Sequence, residues 1–170
     1  MSARAPIYMD HNATTPVDPR VFERMRPYFS ELFGNAASVG HNFGWEAESA
    51  VNTARQQVAA LLNARPDAII WTSGATESNN LAIKGVAQAG STHWRRHIIT
   101  QVTEHKAVLD PCNRLMSEGC DVTFLPVDRF GRIDLDELRD VMRDEKILVS
   151  IMWANNEIGT IQEITQIGEI

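Results

Sequence analysis

Small and hydroxyl-bearing residues form a turn between an apolar run and a segment with a helical pattern. The turn is Ser73-Gly74-Ala75-Thr76, and it follows the apolar residues 68–71. Gly74 permits backbone angles that other residues avoid, so the amides around it can point toward one spot. Thr76 adds a hydroxyl, and a helix that begins here contributes its positive N-terminal end. The turn predicts an anion site, above all for a phosphate, although an ordinary capped helix start explains the same residues.

Polar residues also follow other segments that have the pattern of buried strands. His105 is the last of the polar residues 103–105, which come after the strand-like residues 97–101. Asn155 comes after the apolar run 147–153. Ligands bind outside the carboxyl ends of the strands in open α/β sheets. Our hypothesis is that the anion site, His105 and Asn155 converge at one edge of a sheet, whose strand order a sequence does not reveal.

The elements that must position these residues alternate between strands and helices. Strands are predicted at residues 68–72, 97–101, 121–126 and 147–153, and the helical segments that follow them are 76–89, 105–118, 134–143 and 163 onward. We expect the second helix to restart at Asp110-Pro111, where an N-cap residue precedes proline, and to end at Gly119. This alternation indicates an α/β fold with a mostly parallel sheet and helices on both faces.

Helices are also predicted in the part of the chain before the sheet. The first begins at Asp18-Pro19 and extends to about Leu32 unless Pro27 breaks it. The second is residues 45–63, where apolar residues recur at steps of three and four. Residues 7–9 have the pattern of a short strand.

The composition is that of an ordinary globular protein, with 44% hydrophobic and 22% charged residues. The net charge of -6 argues against nucleic acid as the main partner. The first six residues lack the apolar core of a secretory signal, and the longest apolar run is too short to span a bilayer. Cys112 and Cys120 lack CxxC spacing, which predicts reduced thiols in a cytoplasmic protein. No metal site is predicted.

Five stretches of the chain form an ordered set: residues 10–16 (DHNATTP), 33–35 (FGN), 72–80 (TSGATESNN), 103–108 (TEHKAV) and 155–159 (NNEIG). In this order they resemble the cysteine desulfurases of the NifS/IscS type, in the class V group of pyridoxal-phosphate (PLP) enzymes. The resemblance covers nearly the whole chain and is greatest to the iron–sulfur-assembly branch. It implies the N-terminal part of the large domain of the type I PLP-dependent transferases. Residues 1–15 would be a lead-in segment of the small domain, and residues 16–170 an incomplete PLP-binding large domain.

The resemblance also implies roles for individual residues. Gly74-Ala75-Thr76 matches the turn that holds the PLP phosphate. His105 matches a histidine that stacks on the pyridine ring and assists proton transfers. Asn155 matches an asparagine that hydrogen-bonds near the ring oxygen and the substrate carboxylate, and Asn35 would lie near the substrate. Simpler readings stay open, namely a helix cap for His105 and turn chemistry for Asn155.

The activity implied by the resemblance is the PLP-dependent removal of sulfur from L-cysteine. The products are L-alanine and an enzyme persulfide that serves iron–sulfur cluster or thiolation pathways. Expected partners are L-cysteine, sulfur-acceptor or scaffold proteins and a second copy in a homodimer, without nucleic acid or membrane. The alternatives are a selenocysteine lyase or another class V PLP enzyme, and a non-catalytic PLP-binding or assembly module.

The chain departs from the family pattern at several points. Ala36 stands where the family usually has proline, and Trp153 where it often has histidine. The family's Schiff-base lysine, the aspartate that pairs with the pyridine nitrogen, the arginine for the substrate carboxylate and the sulfur-accepting cysteine are expected beyond Ile170. None of Lys84, Lys106 and Lys146 lies in the Ser-x-His pattern of that lysine, and neither cysteine is predicted as the sulfur acceptor. We therefore expect the chain alone to be inactive as a desulfurase.

Overall fold

The computed structural model describes residues 6–90, 97–144 and 146–170. The chain divides into two compact units, Met1–Trp71 and Thr72–Ile170. Of the predicted lead-in segment, residues 1–5 lie outside the described part of the chain. Among the described helices, none has the length and apolar character needed to cross a membrane.

Proline residues set the helix boundaries near the start of the first unit. The Asp18 side chain caps α1 (Pro19–Met25) by accepting a hydrogen bond from the Arg20 amide at 2.8 Å. Pro27 has no N–H with which to continue that helix, so a separate short helix, α2 (Pro27–Ser30), follows. The prediction of one helix extending to about Leu32 is therefore wrong, and the alternative, an early end at Pro27, is what the structure shows.

The long helix of the first unit is α3 (Asn42–Leu61). It begins before the predicted start at residue 45 because His41 caps it, with the Nδ1 atom accepting a hydrogen bond from the Gly44 amide at 3.2 Å. A 3-10 turn, Pro66–Ala68, follows the helix. The helix itself is confirmed, and the histidine cap explains the earlier boundary.

The predictions of strands at residues 7–9 and 68–72 are wrong. Neither segment pairs with a strand anywhere in the described parts of the chain. Ile70 and Trp71 are 68% and 47% exposed, so the apolar run that suggested a buried strand is not buried here. A strand requires a neighbour whose main-chain groups complete its hydrogen bonds, and an apolar run alone does not supply that neighbour.

The sheet of the second unit has three parallel strands in the order β2-β1-β3. Their bounds are His97–Gln101 for β1, Asp121–Leu125 for β2 and Lys146–Ser150 for β3. Strand β1 is central, and all of its residues are buried. It pairs with both other strands, with an irregularity between His97 and Ile98 on the β3 side. The predicted parallel sheet is confirmed.

Helices cover both faces of this sheet, as predicted. They are α4 (Ala75–Gly90), α5 (Lys106–Ser117), α6 (Leu135–Val141) and α7 (Ile164–Glu169). Successive residues of β1 point to opposite faces, so they serve two separate cores. Ile98 packs in a cluster with Ile83 of α4 and Val108 of α5. Ile99 packs with Leu138 of α6, and α7 contacts the same cluster.

Helix α5 continues through Pro111, so the predicted restart at Asp110-Pro111 is wrong. Proline inside a helix costs about 3 kcal/mol. The apolar face of α5 offsets this cost because Val108, Cys112 and Leu115 are all buried in one core, and burying such a side chain contributes roughly 1.5–3 kcal/mol. Gly119, with φ +91°, ends the helix as predicted.

Candidate functional site

Helix α4 begins at the turn that the sequence singles out. Gly74 lies directly before Ala75, the first residue of the helix, and a Cβ atom at Gly74 would meet nothing within 4 Å. The Glu77 carboxylate folds back and accepts hydrogen bonds from the hydroxyl and amide of Ser73 at 2.6 and 2.7 Å. These bonds hold the pKa of Glu77 below its ordinary value. Glu77 thus fixes the start of the turn, a role that was not predicted for it from the sequence.

The amides of Ala75 and Thr76 remain available to a ligand. Within the described residues, no acceptor bonds either amide, and Thr76 is exposed. The first amides of a helix have no partner inside the helix and carry its positive end. A phosphate group fits this site, because the two amides can donate to it, the Thr76 hydroxyl lies beside them and Gly74 leaves open space.

His105 is the N-cap residue of α5 and lies in the loop directly after β1. Its Nδ1 atom accepts a hydrogen bond from the Ala107 amide at 3.1 Å. The neutral ring therefore carries its proton on Nε2, an assignment that follows from the hydrogen bond. The capping role that the sequence left open is present. It leaves Nε2 without a hydrogen-bond partner among the described residues.

Asn155 closes a turn after β3 and also contacts the loop after β1. Its Oδ1 atom accepts hydrogen bonds from the amides of Glu157 and Ile158 at 2.9 and 3.0 Å. Its Nδ2 atom donates to the Thr103 carbonyl at 3.0 Å. Thr103 precedes His105 in the same loop. The structure therefore brings Asn155 and His105, both predicted site residues, to neighbouring strand ends. The turn chemistry that was the simpler reading of Asn155 is present as well.

Glu104 forms a second connection between the ends of β1 and β3. Its side chain is 8% exposed and accepts a hydrogen bond from the Met152 amide. Burial raises the pKa of Glu104, against the lowering effect of that hydrogen bond. In the sequence Glu104 is one of the polar residues after β1, and no separate role was predicted for it. Only the adjacency of β1 and β3 identifies its partner.

The connections that leave β1 and β3 pass to opposite faces of the sheet. After β1 the chain enters α5, in the core on the Ile98 side, whereas α7 contacts the core on the Ile99 side. Adjacent strands whose connections diverge in this way leave a crevice outside their carboxyl ends, where ligands bind in open α/β sheets. His105 and Asn155 stand at these strand ends.

Asn35 belongs to the first unit, in the loop before α3. Its Oδ1 atom accepts a hydrogen bond from the Ala37 amide at 2.9 Å, and its carbonyl accepts one from the Ser38 amide at 2.9 Å. These bonds order the loop locally. A place for Asn35 near the substrate stays a prediction.

Neither cysteine is in a disulfide within the described residues. Cys112 is fully buried, and burial raises the pKa of its thiol to about 11, with the charge of Glu104 and the proximity of Cys120 as lesser causes. Because the thiolate is the nucleophilic form, an inaccessible thiol with a high pKa is poorly suited to sulfur transfer.

Known proteins of one family match nearly the whole of this chain. The aminotransferase class-V family matches residues 7–170. The chain belongs to this family. It is 57% identical over 170 residues to a cysteine desulfurase IscS of Neisseria meningitidis serogroup C / serotype 2a, covering 100% of this chain and 42% of that relative.

Two solved structures have the same fold as this class-V chain. A NifS-like protein superposes with a TM-score of 0.90 at 43% identity, over 96% of this chain and 44% of the other. SspA in complex with cysteine superposes with a TM-score of 0.87 at 41% identity, over 95% of this chain and 46% of the other. The chain therefore spans less than half the length of these relatives. Class V aminotransferases and IscS proteins are PLP enzymes, and the fold class predicted from the sequence is confirmed.

Proposed function

We propose that this chain is the N-terminal part of a PLP-dependent cysteine desulfurase. The reaction would remove sulfur from L-cysteine and give L-alanine and an enzyme persulfide. The observation that carries the proposal is the hydrogen bond from Asn155 to the Thr103 carbonyl, because it places Asn155 beside the His105 loop at the ends of adjacent parallel strands. The 57% identity to a cysteine desulfurase over 170 residues supports the reaction type.

The start of α4 would bind the phosphate of PLP. Gly74 leaves the space, the amides of Ala75 and Thr76 donate hydrogen bonds, and the Thr76 hydroxyl donates a further one. Glu77 holds the turn in shape by accepting both hydrogen bonds from Ser73. When bound, PLP supplies an electron sink for bond changes at the substrate α-carbon.

His105 and Asn155 would orient the ring and the substrate. The cap to the Ala107 amide fixes the imidazole through Nδ1, so His105 holds or moves a proton at Nε2. Asn155 would contribute a polar contact near the ring oxygen and the substrate carboxylate. Asn35 would contact the substrate from its own loop.

The remaining machinery belongs to the part of the relatives that this chain does not cover. We assign to it the Schiff-base lysine and the sulfur-accepting cysteine. The proposed partners are a sulfur acceptor or scaffold protein and a second copy in a homodimer. The cytoplasm is the proposed compartment, supported by two cysteines that form no disulfide.

Cofactor binding is tested by titrating the chain with PLP and following protein fluorescence. Thr76→Ala removes the hydroxyl, whereas Thr76→Ser keeps it and serves as the matched control. A hydrogen bond to a charged group contributes about 1.5–3 kcal/mol, so Thr76→Ala should weaken PLP binding roughly tenfold or more. Equal affinity of wild type and Thr76→Ala would refute the phosphate assignment.

The reaction is tested in the full-length protein by measuring alanine and sulfide released from L-cysteine, with selenocysteine as a second substrate. The proposal predicts alanine from L-cysteine in the full-length protein and none above background from residues 1–170 alone. Alanine formation from selenocysteine but not from cysteine would favour a selenocysteine lyase and reject the desulfurase.

A further inference from the structure

Asn155 is presented by a closed turn and not directly by a strand. The Asn155 amide donates to the Thr160 carbonyl at 2.8 Å, and the Gly159 amide donates to the Asn155 carbonyl at 3.0 Å. Ala154 and Ile161 form an isolated antiparallel bridge at the base of the turn. The direction of the Asn155 side chain therefore depends on what holds residues 154–161.

The loop between β2 and α6 supports this turn from one side. Gly131 in that loop is buried with φ +79°, and a Cβ atom placed on it would lie 2.7 Å from Ile158 Cδ1 and 3.2 Å from Thr160 Oγ1. The Thr160 hydroxyl donates a hydrogen bond to the Phe130 carbonyl. A Cβ atom at residue 131 would crowd the end of the Ile158 side chain and the Thr160 hydroxyl, both on the turn, and the positive φ would add backbone strain, so this contact accommodates glycine best.

The supporting loop is itself fixed by local hydrogen bonds. The Asp128 carboxylate accepts hydrogen bonds from the amides of Phe130 and Arg132 at 2.8 and 2.9 Å. The amide of Gly131 donates to the Asp128 carbonyl at 2.9 Å, and the Asp128 amide donates to the Arg132 carbonyl at 2.8 Å. These hydrogen bonds close the loop and hold Gly131 next to the turn.

Gln162 connects the turn, the loop and the central strand through one buried amide. Its side chain is 5% exposed. Its Nε2 atom donates to the Gly131 carbonyl at 2.7 Å and to Gln101 Oε1 at 3.0 Å, and its Oε1 atom accepts from the Ile133 amide at 3.2 Å. Its own amide donates to the Trp153 carbonyl at 2.8 Å, just before the turn. A fully bonded buried amide specifies one arrangement of the groups around it.

We infer that Gly131 and Gln162 are positioning residues for Asn155, acting through the turn 154–161. The inference rests on the proposed function, because the position of Asn155 affects cofactor and substrate binding only if Asn155 has the role proposed above. Neither residue needs to touch the ligand. Their effect is to keep the Asn155 side chain pointing at the ends of β1 and β3.

The matched pair Gly131→Ala and Gly119→Ala tests this inference in the full-length protein. Gly119 has φ +91°, and a Cβ atom placed on it would meet nothing within 4 Å, so both substitutions impose the same kind of backbone strain. Only Gly131→Ala also crowds the Ile158 and Thr160 side chains of the turn. A small misplacement can cost as much as a hundredfold in rate. We expect Gly131→Ala to raise KM for L-cysteine or Kd for PLP about tenfold, and Gly119→Ala to change both less than about twofold.

The same substitutions are then made in an Asn155→Ala background. If Gly131 acts through Asn155, Gly131→Ala adds less than about twofold to the effect of Asn155→Ala, whereas independent effects multiply. Gln162→Leu should likewise add less than about twofold to the effect of Asn155→Ala. If Gly131→Ala does not fold, Thr160→Val removes only the hydroxyl bond to the loop and takes its place in the cycle.

Hydrogen exchange of the Glu157 and Ile158 amides gives a readout that does not depend on ligand. These amides donate to Asn155 Oδ1, so they should exchange faster in Gly131→Ala than in Gly119→Ala. Equal exchange in the two variants, or multiplicative effects with Asn155→Ala, would overturn the inference. If Asn155→Ala itself leaves KM and Kd unchanged, the proposed role of Asn155 fails, and the functional meaning of its support fails with it.

Discussion

Replacing Cys112 with alanine should change how the stability of the protein depends on alkaline pH. The thiol is fully buried, and its pKa rises from an ordinary 9.0 to about 11. The folded state thus binds the thiol proton more tightly than the unfolded state does. The associated stability is present below the unfolded pKa and is lost as the pH rises through the range from 9 to about 11.

The size of the effect follows from the two pKa values. Each pKa unit corresponds to about 1.4 kcal/mol, so wild type should lose about 2 kcal/mol through this group between about pH 8 and about pH 10.5. Cys112→Ala leaves a small cavity in the core formed with Ile98 and Leu115, which costs about 1–2 kcal/mol at every pH. The variant should be less stable at pH 8, and the difference should vanish or reverse at pH 10.5.

The assay is urea unfolding followed by far-ultraviolet circular dichroism, at closely spaced pH values for both proteins. Other groups that titrate in this range contribute equally to wild type and variant, except the neighbouring Cys120, whose charge interacts with Cys112, so the difference between the two unfolding free energies reports mainly on Cys112. A difference that stays constant from pH 8 to pH 10.5 would refute the reasoning, since the thiol would then be no harder to ionise in the folded state.

Two further predictions concern the connections between β1 and β3. Burial raises the pKa of Glu104, so its stability contribution is lost as the pH rises above 4.5. Glu104→Gln, which keeps an acceptor for the Met152 amide, should remove this loss and unfold at higher urea concentration than wild type at pH 7; a less stable variant would contradict this. Asn155→Asp keeps the acceptor for two amides but loses the donor to Thr103, and should cost about 1–3 kcal/mol in urea unfolding. Asn35→Asp keeps its acceptor bond to the Ala37 amide and should cost less than about 0.5 kcal/mol, so equal losses would argue against the Thr103 bond as the cause.

Most helices and strands were predictable because helix caps, turns and apolar periodicity depend only on residues that are neighbours in the chain. Asp18 caps the helix that follows it, as its position before Pro19 and a helical pattern indicates, and Asp134, the first residue of the predicted helix 134–143, caps the observed one. The strand at residues 97–101 has the predicted bounds. The segment 68–72 has an equally apolar pattern but forms no strand, because pairing depends on a partner and not on the run itself.

The candidate site was predictable in its residue types and only partly in its arrangement. The turn before α4 and the polar residues after β1 and β3 are visible in the sequence because small, hydroxyl and amide side chains follow apolar runs. The fold-back of Glu77 onto Ser73 was missed, although both residues lie in the same short stretch. Its spacing is one residue longer than that of the usual capping box, so the familiar signal does not mark it.

From the sequence alone it follows that this chain has alternating strands and helices, and that small and polar residues of particular types come after the strands. The order of the strands is visible only in the folded chain, where β3 lies beside β1, so that Asn155 bonds to Thr103 and Glu104 bonds to Met152. The contacts of Gly131 and Gln162 with the turn that carries Asn155 and with its surroundings are also visible only there. The physical reason is that helix caps and turns are local, whereas strand order follows from how the connecting helices pack on the two faces of the sheet.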